Sequence, residues 1–534
     1  MRPNQARALA TPIVFVVAVA VAVVIFVMIT AKGPMLAIAF GAFVAMLIYA
    51  FTSDGGALLC LILAAYFEAL YKGAAPSIFT LLVKDFFLVI GVLRLLFVSQ
   101  RQRDFKWVGQ PFTTSAVVFF IYTLALMFAP TTRSILLALA GFRTWILWMP
   151  VYFPTYAYFT DKQKVIRLLT LVLLMQLPVQ IYGIIQGNIG YEHTRIIPGF
   201  YEITKWYKVD VDLTKDRPAD AEGGLDASFK PIMNVRACSI TISPGTFGSM
   251  SMMTILLALG LLAYTSSPQI RLWSLITALA SAGGLLASGS RTPMVGLLAG
   301  IIVMLALSRH RAALIAGMIV ITIGAAVFLK DISGGGAVRL RKTLTVQGAI
   351  SRSMYPLMQG WSEGLIHPFG NGIATGTGMG RVFYSAGLQT GEGAKFIENE
   401  FARSLVELGL VGAAIWLSML LTALWHCYRA IRLMGNRPEA SLCAALLGVM
   451  VAIFVQLGVG SALYPAQPGM YFWMFTAAII RLGQFISAED PADALPVRTR
   501  APRMRRYGFI MVPEDQFPRP QTRPAPEVAE KDSA

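Results

Sequence analysis

The chain has 534 residues, and its 45 lysines and arginines against 28 acidic residues give a formal net charge of +17. Hydrophobic residues make up 56% of the sequence and charged residues only 14%, whereas soluble domains are roughly 45–50% apolar and about 25% charged. This balance argues against a soluble globular domain and indicates a protein of the membrane class.

Long apolar runs, taken in chain order, predict the membrane helices. Each run is long enough to cross a hydrocarbon core of roughly 30 Å, and together they predict about 14 transmembrane helices. The first run lacks a small-residue cleavage site, so we expect a retained helix there and not a signal peptide. The sequence thus predicts an all-α polytopic membrane domain over residues 1–485. The predicted spans are 11–31, 34–52, 57–72, 78–98, 113–129, 134–159, 168–187, 241–265, 272–289, 293–308, 312–329, 404–424, 441–460 and 470–485.

Basic residues between the runs predict the orientation, because Lys and Arg collect in short cytoplasmic loops. With the N-terminus inside, basic clusters at 101–106, 162–167, 309–311 and 429–437 all lie on the cytoplasmic side. We therefore expect a bacterial inner-membrane protein with both termini in the cytoplasm. Residues 486–534 are rich in proline and charge and are predicted to be a disordered tail. The tail's arginines at 498–506 are expected to face anionic lipid and not nucleic acid.

Two connections are far longer than the usual loop of about 4–6 residues. They cover residues 188–240 and 330–403, and both are predicted to lie in the periplasm. The first places His193 among aromatic and charged residues, a mixture that suits sugar stacking and equally suits an amphipathic segment on the membrane surface. The second is rich in arginine and lysine, against the positive-inside trend. That excess favours an anionic ligand such as a lipid pyrophosphate.

Short motifs lie in or beside these loops. Residues 287–293 read ASGSRTP and place Arg291 at a tight outer turn, where it is either a phosphate ligand or a snorkelling residue that caps a helix end. Three further motifs lie at 236–248 (RACS, then SPGTFG), at 361–372 (WSEGLIHPFGNG, preceded by Arg352) and at 398–410 (ENEFARSLVELGL). A weaker one, Gly-Phe-Arg, ends at Arg143.

In order and spacing, these motifs resemble the O-antigen ligase/polymerase family over about residues 230–425. The resemblance implies a GT-C-like architecture and a glycosyltransferase that needs no cofactor, metal or nucleotide sugar. It implies an undecaprenyl-pyrophosphate-linked glycan as donor and a second glycan as acceptor, with membrane lipids and polysaccharide-assembly proteins as further partners. Arg291 and Arg236, then Arg352 and Arg143, would hold the pyrophosphate, which gains charge in the transition state.

The start of the motif at 398–410 is where the family's ligases carry a histidine proposed to activate the acceptor. This chain has Glu398 there, which favours the polymerase branch over the ligase branch. A carboxylate can accept a hydroxyl proton when burial raises its pKa, so Glu398 and Glu400 are candidate bases, with His193 as a rival. Alternatively, Glu400, Arg403 and Glu407 share one helix face, where local ion pairs are ordinary.

The remaining polar residues have structural explanations, and two other functions are possible. His367 precedes Pro368 and is predicted to set a turn. Local pairing and snorkelling of long side chains are expected to explain the charged residues inside the predicted spans: Glu68, Lys84, Asp85 and Arg94. A flippase or transporter should show repeated halves and broken helices, and the sequence shows no such symmetry. Transport and a non-catalytic scaffold therefore rank below the transferase.

Overall fold

The computed structural model of the protein describes residues 34–53, 55–68, 78–102, 112–129, 135–189, 237–241, 243–308, 315, 318, 346–373, 375, 397, 399–460, 462–463, 466–489, 504–507 and 510–513. The described residues before 490 are built from α-helices and one 3-10 turn, Met149–Val151. The helices are α1 (Pro34–Thr52), α2 (Gly56–Tyr66), α3 (Ile78–Gln102), α4 (Thr113–Met127), α5 (Ile135–Ile146), α6 (Tyr152–Tyr158), α7 (Lys162–Ile189), α8 (Pro244–Tyr264), α9 (Pro268–Ser288), α10 (Arg291–Leu307), α11 (Val346–Ile366), α12 (Glu400–Met434), α13 (Pro438–Leu457) and α14 (Ala466–Glu489).

Five described helices, namely α7, α8, α9, α12 and α13, are long and apolar enough to cross a membrane. Helices α5 and α6 count as a sixth if they are taken as one span bent by 42°, and the turn between them contains Pro150, which cannot donate a helical hydrogen bond. A helical structure with several helices that could span a membrane is therefore confirmed. The number fourteen and the GT-C-like architecture stay predictions. The predicted span 11–31 lies outside the described residues, as does 312–329 apart from residues 315 and 318.

The centre of the bundle is formed by α8 and α13, whose apolar windows are 89% and 83% buried. Glycines let their neighbours approach closely, as is common between membrane helices. A Cβ atom on Gly448 of α13 would lie 2.7 Å from the carbonyl oxygen of Gly300 on α10, and one on Gly260 of α8 would lie 2.5 Å from the Ala445 Cβ. Side chains larger than hydrogen would separate these helices.

Antiparallel packing brings several helix ends together around the last turn of α13. Ser249 on α8 hydrogen-bonds Gln456 at 2.6 Å, and Asn399, just before α12, donates to the Gly458 carbonyl at 2.5 Å. A Cβ on Gly296 near the start of α10 would lie 2.8 Å from the Gln456 amide nitrogen. The first turns of α8, α10 and α12 therefore share one end of the bundle, which we call the Glu400 end.

The chain divides into two compact units, Met1–Phe485 and Ile486–Ala534. Within the stretch that the sequence predicts to be disordered, the structure describes an antiparallel pair of strands, β1 (Met504–Tyr507) and β2 (Ile510–Pro513). Arg506 is opposite Met511 in this pair. Two short strands alone are marginally stable in water, so the pair adds little to the stability of the chain.

Candidate functional site at the Glu400 end

The start of α12 is fixed by two polar side chains. The Asn399 side chain accepts a hydrogen bond from the Ala402 amide at 3.0 Å, which caps the helix. The buried Glu400 carboxylate accepts from the amides of Ala462 and Leu463 at 2.8 and 3.0 Å, and from Arg403 at 3.3 Å. The predicted pairing of Glu400 with Arg403 is thus confirmed. Because both carboxylate oxygens already accept hydrogen bonds, the geometry favours a positioning role for Glu400 over proton transfer.

The same face of α12 meets a tryptophan from a distant part of the chain. The Arg403 guanidinium lies 4.6 Å from the centre of the Trp145 ring, within the range of a cation–π contact. The Trp145 indole N–H donates to the Glu407 carboxylate at 2.8 Å, and all three side chains are buried. Glu400, Arg403, Trp145 and Glu407 form one connected group, which we call the Trp145 cluster. Removing one member of such a cluster would take one contact away from a buried charge, which is costly.

A cavity of about 20 Å³ lies beside the Trp145 cluster. Its volume suits one water molecule and is far too small for a sugar ring. Glu400 supplies a carboxylate to its wall, and aromatic residues surround it: Trp145, Trp148, Trp416 and Trp473. The cluster and this cavity therefore form a packed wall of the bundle and not a glycan pocket.

Arg143, a candidate pyrophosphate ligand, is held by a carboxylate inside the bundle. Its Nη2 atom lies 3.1 Å from Asp85 Oδ1, and its Nε atom contacts the other oxygen of Asp85. Both groups are partly buried. A diphosphate would have to displace Asp85 from this two-point contact. Of the two candidates whose side chains are described, Arg143 and Arg291, Arg143 is therefore the weaker.

The remaining charges inside the predicted spans also have local partners. Lys84 pairs with Glu68, and both are buried. Arg94 donates to the carbonyls of Ala50 and Ser53 at the end of α1, where a cation is favoured by the helix dipole. Each of these charges thus has a polar partner, but the partner comes from another helix or segment and not from the same turn: Asp85 contacts Arg143 on α5, and Arg94 contacts carbonyls at the end of α1.

Arg291 is the first residue of α10 and lies at the turn that follows α9. The turn is made by Gly289 at φ +56°, a left-handed conformation that glycine adopts without cost. The Ser290 side chain makes no capping hydrogen bond to the first turn of α10. Arg291 is thus a partly exposed residue at a helix start, and the N–H groups of helix starts often bind anions.

The segment that follows Arg236 is attached to this same turn. The Ala237 amide donates to the Ala287 carbonyl at 3.0 Å, and the Gln186 side chain accepts from the amides of Cys238 and Ser239 at 2.8 and 2.7 Å. Ser239 has φ +52°, which is uncommon for a residue other than glycine. The structure thus brings two of the predicted motifs, 236–248 and 287–293, into contact. Arg236 itself lies outside the described residues.

The motif at 361–372 packs on a break in α12. Gly409 has φ +70° and ψ −178° inside the helix, and the Val411 amide donates instead to the Pro368 carbonyl at 3.1 Å. The Gly370 amide donates a hydrogen bond to the His367 carbonyl at 2.8 Å, which confirms the predicted turn. The His367 side chain is exposed. This motif therefore shapes the backbone around the site.

Three further candidates cannot be placed. Glu398 and His193 lie outside the described residues, and Arg352 lies in α11 with its side chain outside them. Among the described residues, no group of three or more His, Cys, Asp or Glu side chains is arranged to hold a metal ion.

Comparison with models of known protein families gives no match, and comparison with curated proteins gives none either. The family named from the motifs therefore stays a prediction.

The electrostatics of the Glu400 end follow from its helix ends. Each helix start carries a partial charge of roughly +0.5, and three described helices begin here, at Pro244, Arg291 and Glu400. The Glu400 charge is already engaged by Arg403 and two amides. The helix starts, together with Arg291, thus favour an anionic ligand at this end.

Proposed function

We propose that the protein is a polysaccharide polymerase at the outer face of a bacterial inner membrane. It transfers a glycan repeat unit from undecaprenyl pyrophosphate to an acceptor glycan. The observation that supports this most directly is the meeting of three helix starts with Arg291 at one end of an apolar bundle. A diphosphate at the membrane boundary has the charge that such an arrangement stabilises.

In the proposed reaction, an acceptor hydroxyl oxygen forms a bond to the anomeric carbon of the donor sugar. The bond from that carbon to the diphosphate oxygen breaks, and its electron pair leaves with the diphosphate. The hydroxyl proton passes to a general base, for which Glu398 and His193 are the candidates. Arg291 stabilises the charge that grows on the diphosphate, and Arg236 and Arg352 are proposed to act beside it.

The Trp145 cluster has a supporting part in this proposal. Its buried contacts hold the first turn of α12 in place, directly after the proposed base at position 398. Reacting groups must be held close to their productive geometry, since small displacements cost large factors in rate. Metal chemistry has no assigned part in the scheme.

Substitution of Arg291 tests the proposal. Arg291→Ala should lower polymer formation by roughly 10²-fold, the usual cost of removing one donor to developing negative charge. Arg291→Lys should retain part of the activity because it keeps the charge but loses the two-point geometry. The matched control is Arg271→Ala, since the exposed Arg271 lies at the start of α9, far from the Glu400 end, and donates to the Thr265 carbonyl at 2.7 Å.

Polymer would be measured by gel analysis in a strain that lacks the native gene, with the amount of membrane-inserted protein measured in parallel. Normal polymer from Arg291→Ala would remove the diphosphate-binding role.

The lipid-linked species that accumulates without the protein separates the alternatives. Single repeat units on the carrier support a polymerase, finished chains on the carrier indicate a ligase, and material trapped on the inner leaflet indicates a flippase.

A further inference from the structure

Helix α11 packs along the first turns of α12 through two glycines. A Cβ atom on Gly360 would lie 2.8 Å from the Ala402 carbonyl oxygen, and one on Gly364 would lie 3.4 Å from the Leu405 carbonyl oxygen. Residue numbers rise together in these two contacts, so the helices run parallel. The narrow glycine face of α11 is therefore buried against α12, and its other faces point away from that helix.

A second face of α11 is apolar and exposed. Met354, Met358, Trp361 and Leu365 follow one another at intervals of four, three and four residues, which places them on one stripe of the helix. Met358 is 68% exposed and Leu365 is 59% exposed. Phe369, just after the helix, is exposed as well. So large a contiguous apolar surface marks a site of interaction with a partner or a membrane.

The third face of α11 carries both polar and apolar residues. Gln359 and Glu363 lie four residues apart on it and are partly buried, and the exposed Tyr355 and Ile366 lie beside Gln359. The Asn371 amide lies 3.4 Å from a Glu363 carboxylate oxygen. Gln359 follows Met358 directly, so their side chains leave the helix about 100° apart. The surface of α11 away from α12 is thus mostly apolar, with a narrow polar face at Gln359 and Glu363.

The apolar stripe continues onto the outer surface of a helix that is long and apolar enough to cross a membrane. The Pro368 carbonyl, next to Phe369, accepts from the amide of Val411 on α12, and the Val411 side chain is exposed. Further along α12, Leu421 and Trp425 are exposed on the surface that would face lipid. The exposed apolar surface of α11 therefore adjoins the exposed apolar surface of α12.

We propose that α11 lies beside α12 in contact with lipid. Met354, Met358, Trp361 and Leu365 contact the lipid, while Gln359 and Glu363 face water. Tryptophan is typical where a helix meets the membrane–water interface. This inference goes beyond the proposed function, because it holds whether or not the protein transfers glycans.

Spin labels on single cysteines test the depth of each face. Met358→Cys and Leu365→Cys carry the label on the apolar stripe, and Gln359→Cys is the matched control on the polar face. The four native cysteines are buried. The full chain is placed in vesicles of phosphatidylethanolamine and phosphatidylglycerol. Collisions are then measured with oxygen, which concentrates in lipid, and with a water-soluble nickel chelate.

Oxygen collisions should dominate at positions 358 and 365, and nickel collisions at 359. Nickel collisions at 358 that equal those at 359 would place the apolar stripe in water and overturn the proposal. Low collisions with both reagents at 358, together with broadening between labels, would overturn it in another way, because a second copy would then cover the face. A separate measurement uses the unmodified protein: oxidation of Met358 by a water-soluble oxidant should be slow in vesicles, and fast oxidation would contradict the proposal.

Discussion

Replacing Gly409 by alanine tests how the motif at 361–372 holds the break in α12. Gly409 adopts φ +70° and ψ −178°, a region that is essentially restricted to glycine. A Cβ atom there would lie 2.3 Å from both the Pro368 carbonyl oxygen and the Gly370 amide nitrogen. These are backbone atoms, so they cannot move aside as the end of a flexible side chain can. Gly409→Ala should therefore disrupt the contact between α12 and the motif.

The expected cost has two parts. An L-residue in this backbone conformation costs about 1–3 kcal/mol, and the insertion of a carbon atom into a packed contact adds about 1–3 kcal/mol. The sum, about 2–6 kcal/mol, is a large part of a typical unfolding free energy of about 5–15 kcal/mol. Gly435 provides the matched control, because it has φ +61° and a Cβ atom there would meet no packed neighbour among the described residues within 4 Å. Gly435→Ala should therefore lower the free energy of unfolding only by the backbone cost, about 1–3 kcal/mol.

The free energy of unfolding would be measured by denaturant titration of the purified variants in mixed micelles. Hydrogen exchange of residues 366–372 and 400–412 would show whether the loss is local to the contact. Gly409→Ala should be the more destabilised variant by about 1–3 kcal/mol, the packing part. Equal stabilities of the two variants would refute the view that the motif packs closely against the break.

Three further substitutions examine the charged residues near the site. Asp85→Ala and Arg143→Ala should each lower the free energy of unfolding. The double variant should lose less than the sum of the two single losses, because the same ion pair is lost in all three variants. Loss of polymer in Arg143→Ala alone, at normal protein levels, would instead make Arg143 a ligand. Glu400→Gln should lower the unfolding free energy but keep turnover per folded molecule, since the carboxamide oxygen can still accept from the amides of Ala462 and Leu463. Turnover lost at normal stability would identify Glu400 as the base.

The helical membrane class could be predicted from the sequence because apolar runs of that length are rare outside membrane helices. Helix limits were harder to predict. The run at 404–424 predicts a span, yet α12 extends from Glu400 to Met434, because backbone hydrogen bonding continues beyond the apolar stretch. The break at Gly409 lies inside the predicted span 404–424. Its cause is the packing of residues 368–370, which are far away in sequence.

The candidate site shows the same division between local and distant signals. The pairing of Glu400 with Arg403 follows from helix periodicity. The hydrogen bond from Trp145 to Glu407 joins residues 262 positions apart, and a single sequence carries no signal for such a contact. The contact between the segment after Arg236 and the turn before Arg291 was expected only from the family resemblance, since nothing in either motif specifies the other.

The glycine contact between α10 and α13 has a consequence for how these two helices can move. A Cβ on either Gly300 or Gly448 would come within 2.8 Å of the other's carbonyl oxygen, so sliding of one helix along the other would drive side chains into backbone. These two helices should therefore keep a fixed position relative to each other. Under the proposed function, any movement that accommodates a glycan would have to occur outside this pair.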